Sequence, residues 1–265
     1  MLIKSALLSK FPKLVHGFSA AADGNMTYKN DIDGNAETNN RRFLSALGIN
    51  PDDYQILNPE LKHGNTVVIV EPTPMMSGYT EIDKYGSEVI YTQNGTLQFT
   101  LDKDAMRGID ACFSQSQGCL ITMRPADCAV IFVFDPENNV FGLIHAGVAG
   151  LYSGIIHRSF ETLRRKFGTS AKYVHCYVSP SISAQAYDVT AGRLYKKILH
   201  QYLPPEQARH FNPKARAVEL LKNADILPEH IELSHECTAT GDKFFSNHRS
   251  RGQDPRRMLA VIGLR

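Results

Sequence analysis

A chain of 265 residues that is 43% hydrophobic and 21% charged can bury a large core, and none of its apolar stretches reaches the roughly 18 residues a membrane helix needs. A formal charge of +2 argues against a nucleic-acid partner, because proteins that grip a phosphate backbone concentrate a larger basic excess. Five cysteines, an odd count with no Cys-x-x-Cys pair, argue against a disulfide framework or a zinc knuckle and predict free thiols at Cys112, Cys119, Cys176 and Cys237 in a reducing compartment.

Lys4 and Lys10 interrupt the first apolar residues, so no secretory leader is expected and the cytoplasm is the expected location. No repeat, low-complexity run or long linker divides the sequence, which predicts one domain over 1–265. A short helix is expected over 39–47 and a strand over 66–71. Residues 88–92 and 96–101, joined by Asn94-Gly95, read as a hairpin with a type I′ turn. Apolar runs at 111–113, 119–123, 129–134 and 140–144, each closed by Gly, Pro, Asp or Asn, predict buried strands. Leu151, Ile155, Ile156, Phe160 and Leu163 recur at helical spacing, predicting a helix over 151–167 with Gly168 as its stop. A strand over 173–178, amphipathic helices over 193–202 and 214–222, and a closing strand over 258–264 complete an α/β or α+β mixture. Lys and Arg gather over 243–257, which by itself reads as a solvated face.

Two segments sit where function tends to collect. Arg124-Pro-Ala-Asp-Cys128 precedes a strand pattern, and Ile144-His-Ala-Gly-Val-Ala-Gly150 joins a strand to a helix. A Cys at the start of one strand and a His at the end of another can meet at the rim of a sheet, and small residues after His145 leave room for a ligand. With Lys62-His63-Gly64 they form a two-His, one-Cys set whose spacing is too wide to be diagnostic. Each residue alone also has an ordinary reading, Cys128 as a small buried group and each His as a satisfied surface or core side chain.

Taken together, the motifs resemble the YfiH-like or laccase-domain family, formerly described as multicopper polyphenol oxidases. His16-Gly-Phe-Ser19, Gly24-Asn25 and Asn40-Arg-Arg42 are similar to its first block, Lys62-His63-Gly64 to the next, and Ile109-Asp110-Ala111, Ala126-Asp127-Cys128 and His145-Ala-Gly147 to its central signatures. Pro180-Ser-Ile182, Tyr187-Asp188-Val189, Cys237-Thr238, Phe244-Phe-Ser246 and Arg257 are similar to its later blocks. The resemblance implies a layered sheet-and-helix fold like that of Cys-His hydrolases, with His63, Cys128 and His145 holding one metal ion and leaving a fourth position open. Two imidazoles and a thiolate suit Zn2+ in that geometry, and copper suits it less.

Several positions depart from the pattern. Val148-Ala149 stand where the family usually has Trp-Arg, and the chain contains no Trp. Asn247-His248-Arg249 replace Tyr-Arg-Arg, Arg256 replaces a Gly, and Ser179 replaces another. These changes bear on substrate choice more than on the metal.

The resemblance implies purine nucleoside chemistry: phosphorolysis of adenosine, inosine or methylthioadenosine, together with adenosine deamination. Asp127 and Asp110 are then candidates for moving protons. The phosphate is expected at the helix N-terminus after Gly147, aided by Arg41, Arg249 or Arg257. Three alternatives stand beside this reading. One is a Cys-His amidase acting on a cell-wall precursor, with Cys128 as nucleophile. Another is a family member without catalysis that binds a nucleoside or a partner protein, and the weakest is copper-dependent phenol oxidation.

Overall fold

A computed structural model describes residues 2–29, 31–73, 79–82, 88–93, 108–190 and 199–265. Two sheets form its centre. Strands β1 (Leu14–Phe18), β2 (Gln55–Leu57), β7 (Cys119–Met123) and β12 (Ala260–Leu264) make a small sheet in the order β1-β12-β7-β2. The large sheet takes β3 (Val67–Thr73), β4 (Tyr79–Ile82), β5 (Glu88–Gln93), β6 (Ala111–Ser114), β8 (Ala129–Asp135), β9 (Val140–Ala146), β10 (His175–Val178) and β11 (Ile231–Leu233) in the order β11-β10-β8-β9-β6-β3-β5-β4. Both sheets mix parallel and antiparallel pairs.

The layers explain why the central strands read as unbroken apolar runs. Val130, Phe132, Phe134, Phe141 and Leu143 face the small sheet, where they meet Leu57, Ile121 and Ile262. Their alternates Ile131, Val133 and Ile144 face helices α2 (Val148–Ser153), α3 (Ile155–Phe167) and α4 (Pro213–Asn223) through Leu151, Ile155, Leu163 and Leu221. With both faces covered, every residue of β8 and β9 is buried, and period-two alternation disappears. Helix α1 (Ala36–Ala46) closes the outer face of the small sheet with Phe43, Leu44 and Leu47 against Val15, Leu120 and Val261. No described helix is long and apolar enough to cross a membrane.

Most expected elements are present in the described residues with shifted bounds, the first helix beginning at Ala36 and the closing strand at Ala260, but β5, expected to form a hairpin with 96–101, lies instead between β3 and β4. The helix expected over 151–167 is two helices: α2 begins at Val148, Gly154 adopts a left-handed turn (φ 87°), and α3 follows at Ile155. The strand expected over 173–178 begins at His175, because a 3-10 turn occupies Ala171–Tyr173. The Asn94-Gly95 turn, the strand over 96–101 and most of the helix over 193–202 lie outside the described residues; the described end of the last is a 3-10 turn, Leu199–Gln201. All five cysteines are free thiols.

Candidate metal centre

Two loops and the end of strand β9 bring the site residues to one end of the large sheet. Ala129 pairs with Ala146 and Val130 with His145, so Cys128, one residue ahead of β8, lies beside the end of β9. The turn leading into Cys128 is pinned by Arg124, whose guanidinium donates to the Met26 carbonyl at 2.6 Å, to Asn40 Oδ1 at 3.1 Å and to the side chain of Asn58. His63 sits just ahead of β3 in a left-handed conformation (φ 61°) that a non-glycine residue rarely adopts. The ligand atoms of His63, Cys128 and His145 all lie within 4.8 Å of one another, and the two imidazole rings meet edge-on with centroids 4.8 Å apart.

Asp110 organises this group from behind. Its carboxylate accepts Nδ1–H of His145 at 2.8 Å, the His63 N–H at 2.9 Å and the Gly64 N–H at 2.7 Å, while its own carbonyl accepts the His145 N–H at 2.7 Å. The first of these bonds leaves His145 Nε2 as the nitrogen free to bind a metal. Gly147 supplies the space: a Cβ there would stand 3.1 Å from His63 Cδ2 and 3.3 Å from His145 Cε1. A Cβ on Gly150 would collide with the Gly64 carbonyl at 2.7 Å, so the small residues after His145 admit the His63 loop.

Charge follows from this packing. Burial pushes the Cys128 thiol up, but the adjoining His145 and His63 outweigh burial and hold it at about 6. Burial pulls His145 down, yet the Cys128 charge and the Asp110 hydrogen bond carry it up to about 9. Burial raises Asp110, and its bonds to His145, Gly64 and His63 overcome that and lower it. In the absence of a metal, Cys128 and His145 therefore form a thiolate–imidazolium pair near neutral pH.

The family described as multi-copper polyphenol oxidoreductase laccase matches residues 15–265. The chain belongs to this family. The structure of YlmD from Geobacillus stearothermophilus superposes with a TM-score of 0.73 at 25% identity, covering 96% of this chain and 93% of that one. The Bacillus licheniformis protein YfiH shares the fold, with a TM-score of 0.73 at 19% identity over 97% of this chain and 94% of that one. Among curated relatives, a purine nucleoside phosphorylase of Deinococcus radiodurans is 26% identical over 94% of this chain and 88% of its own. Purine nucleoside phosphorylase YlmD of G. stearothermophilus is 29% identical over 65% of each chain, so the match spans about two thirds of that relative.

The other residues singled out from sequence divide sharply in this laccase-family chain. Asp127 (φ 82°) adjoins the centre, but both of its carboxylate oxygens are committed, one to Thr238 Oγ1 at 2.7 Å and one to the His248 N–H at 2.6 Å. It clamps the late loops onto the Cys128 turn. Asp110 holds His145, His63 and Gly64 in place through its own bonds. Arg249 ties the late loop together, its guanidinium donating to the carbonyls of Thr238 (3.1 Å), Gly241 and Phe244 (2.7 Å). Arg41 lies on α1 in exposed ion pairs with Asp52 at 2.8 Å and Glu37 at 3.5 Å.

Arg257 differs. Its side chain donates through Nη1 to the carbonyls of Asp254 and Arg256, and its charge falls on Asp127 and Cys128. Two residues near the centre entered the sequence reading only as members of motifs, with no role assigned. Tyr187 has its hydroxyl in the field of Cys128 and Asp127 and its ring edge-on to His248, with centroids 5.6 Å apart. Arg124 was legible only as the start of the Asp127-Cys128 segment. Where the family usually has Trp-Arg, Val148 packs into the core between the large sheet and the helices.

Proposed function

We propose that the chain is a zinc-dependent purine nucleoside enzyme that phosphorolyses adenosine, inosine or methylthioadenosine and also deaminates adenosine. The observation that carries this reading is the convergence of two imidazoles and one thiolate on a single point, with no fourth protein ligand among the described residues. Three such donors with an open position are the ligand set of a catalytic zinc site. The relatives named purine nucleoside phosphorylase supply the substrate class. Among the described residues this is the one group of three or more candidate ligands, which fits a single ion and gives a several-copper centre nothing to hold it.

His63, Cys128 and His145 would hold the ion, which supplies a Lewis acid at the open position. Asp110 fixes His145 so that Nε2 faces inward. Arg257, half-buried beside the centre, is our choice for the phosphate. A phosphate oxygen attacks C1′ of the ribose, the glycosidic C–N bond breaks, and the purine leaves with a proton, giving ribose 1-phosphate and the free base. The Tyr187 phenol, which burial pushes up and the charges of Cys128 and Asp127 push further, stays protonated and serves as a hydrogen-bond donor to the nucleoside. Free cysteines fit a reducing cytoplasm, and the partners are the nucleoside and phosphate.

The test is phosphate-dependent release of base from inosine, adenosine and methylthioadenosine by wild type, Cys128→Ser and His63→Ala. Activity in wild type alone supports the reading; a wild type indifferent to phosphate with every purine nucleoside rejects phosphorolysis. The thiolate–imidazolium pair of Cys128 and His145 favours one second reading, a Cys-His amidase. That enzyme would keep its activity after thorough chelation and lose it on alkylation of Cys128.

A further inference from the structure

Residues 5–11 run as a strap past β10 and β11, away from the metal centre in their contacts, and an unusual set of groups holds them. The Glu232 carboxylate on β11 accepts Ser5 Oγ at 2.7 Å and the N–H groups of Ala6 at 3.1 Å and Leu7 at 2.6 Å. His16, 2% exposed on β1, accepts the Ser5 N–H through Nε2 at 3.0 Å, and its Nδ1 has no partner. Phe11 lays its ring edge-on to His175 at 4.8 Å and to Phe134 at 5.0 Å. His175 in turn stacks on His230 with centroids 4.0 Å apart and planes 25° from parallel. Its Nδ1 donates to the Tyr173 carbonyl at 2.9 Å, and His230 Nδ1 is buried without a partner.

We propose that this segment is an acid-released strap, docked on β10 and β11 only while His16 and His175 are neutral. Each imidazole has its own reason to refuse a proton. His16 receives the Ser5 N–H on its Nε2 lone pair, a bond that protonation there would exchange for the longer contact with the Ser5 carbonyl at 3.3 Å, and it is sealed from water. His175 is disfavoured as a cation by burial, by the adjoining His230 and by Lys10. The surrounding charges do not rescue them. Lys4 opposes a charge on His16 and Lys10 opposes one on His175; Glu232 faces His16 and Asp135 faces His175 from the end of β8. Asp135 already accepts the backbone N–H groups of Glu137 and Asn138 and the Asn138 amide. Glu229 is the chain neighbour of His230 in the 3-10 turn Pro228–His230. Tyr177 on β10, pushed up to about 12 by burial, stays neutral throughout.

The direction of the effect follows from proton binding. Burial first, with Lys4, holds docked His16 at about 4 against the partial opposition of Ser5 and Glu232. Burial, His230 and Lys10 lower His175 as well. A released strap returns these groups toward the ordinary value near 6.5. Between about 4 and 6.5 the docked form binds fewer protons than the released form, so docking weakens as pH falls through that window, by up to about tenfold per unit for each such histidine. Release uncovers the Phe134 ring and frees the Glu232 carboxylate.

Hydrogen exchange of full-length protein tests the strap, with protection factors corrected for the intrinsic pH dependence of exchange. The amides of Ser5, Ala6 and Leu7 are expected to lose at least about tenfold in protection between pH 6.5 and 5.5 while those of β8 and β9 hold theirs. The variant His16→Gln/His175→Phe/His230→Phe, which keeps an acceptor and a ring pair, is expected to flatten that dependence. Flat wild-type protection, an equal loss in β8 and β9, or an unchanged slope in a folded variant would each overturn the proposal. If the variant does not fold, the contrast between strap and core amides in wild type decides the matter.

Discussion

Asp110 takes the Nδ1 proton of His145 at 2.8 Å and, with the same carboxylate, the backbone N–H groups of His63 and Gly64. One buried side chain thus sets the tautomer of one ligand and the loop of the other. Asp110→Asn puts an amide where a carboxylate accepts three donors, and at least one of them must lose its partner. The expected result is a zinc affinity about 10- to 100-fold weaker in a chelator competition, the usual cost of losing such a partner. An unchanged affinity would make Asp110 a packing residue.

Gly147→Ala tests the space between the rings. Its backbone is ordinary (φ −69°), so the substitution carries no conformational strain, and the new methyl meets only His63 and His145, at 3.1 and 3.3 Å. Metal affinity should fall while thermal stability of the metal-free protein changes by less than about 1 kcal/mol. A loss of stability without loss of metal would show that the glycine serves the helix start and not the ligands.

Metal binding should release a proton from the Cys128–His145 pair. Between about pH 6 and 9 the metal-free pair holds its proton on His145, while a bound metal requires both groups deprotonated. Zinc titrations in buffers of different ionisation enthalpy at pH 7.5 should therefore report about one proton from this pair, and fewer as pH rises past 9. Alkylation of metal-free Cys128 should stay fast down to about pH 6 and slow below it, because the thiolate is lost there. A rate that falls away already at pH 8 would contradict the ion pair.

Two arginines should behave oppositely. Arg249→Ala removes a guanidinium that ties three carbonyls together, so it should cost about 1 kcal/mol of stability, after allowing for its exposure, and leave the KM for phosphate unchanged. Arg257→Ala should raise that KM about tenfold, the loss of one charge-assisted hydrogen bond, with zinc content intact. Phosphate kinetics of both variants check the assignment, and the reverse pattern would return the anion site to Arg249.

The central strands and the candidate metal-binding group were legible because both depend on local sequence. The runs at 119–123, 129–134 and 140–144 are apolar throughout since both sheet faces are covered, and His63, Cys128 and His145 sit in short motifs. The short strands β1, β2, β4 and β11 carried no such signal. Their pairing partners lie far along the chain, as where Leu14 meets Leu264, and three to five residues hold too little periodicity to read. The roles of Asp127 and Arg249 were hidden for a related reason. A carboxylate next to a candidate ligand and a late basic residue look chemical in one dimension, and only the folded loops reveal the bonds each makes, across 111 residues for Asp127 to Thr238 and across 11, 8 and 5 for Arg249. The break at Gly154 needed the left-handed turn to be seen.

Elemental analysis of protein purified without added metal tests the central claim most directly. The account predicts one zinc per chain in wild type, lost in Cys128→Ser and retained in Arg257→Ala. Several copper ions per chain, or full nucleoside turnover by protein that contains no metal, would contradict it.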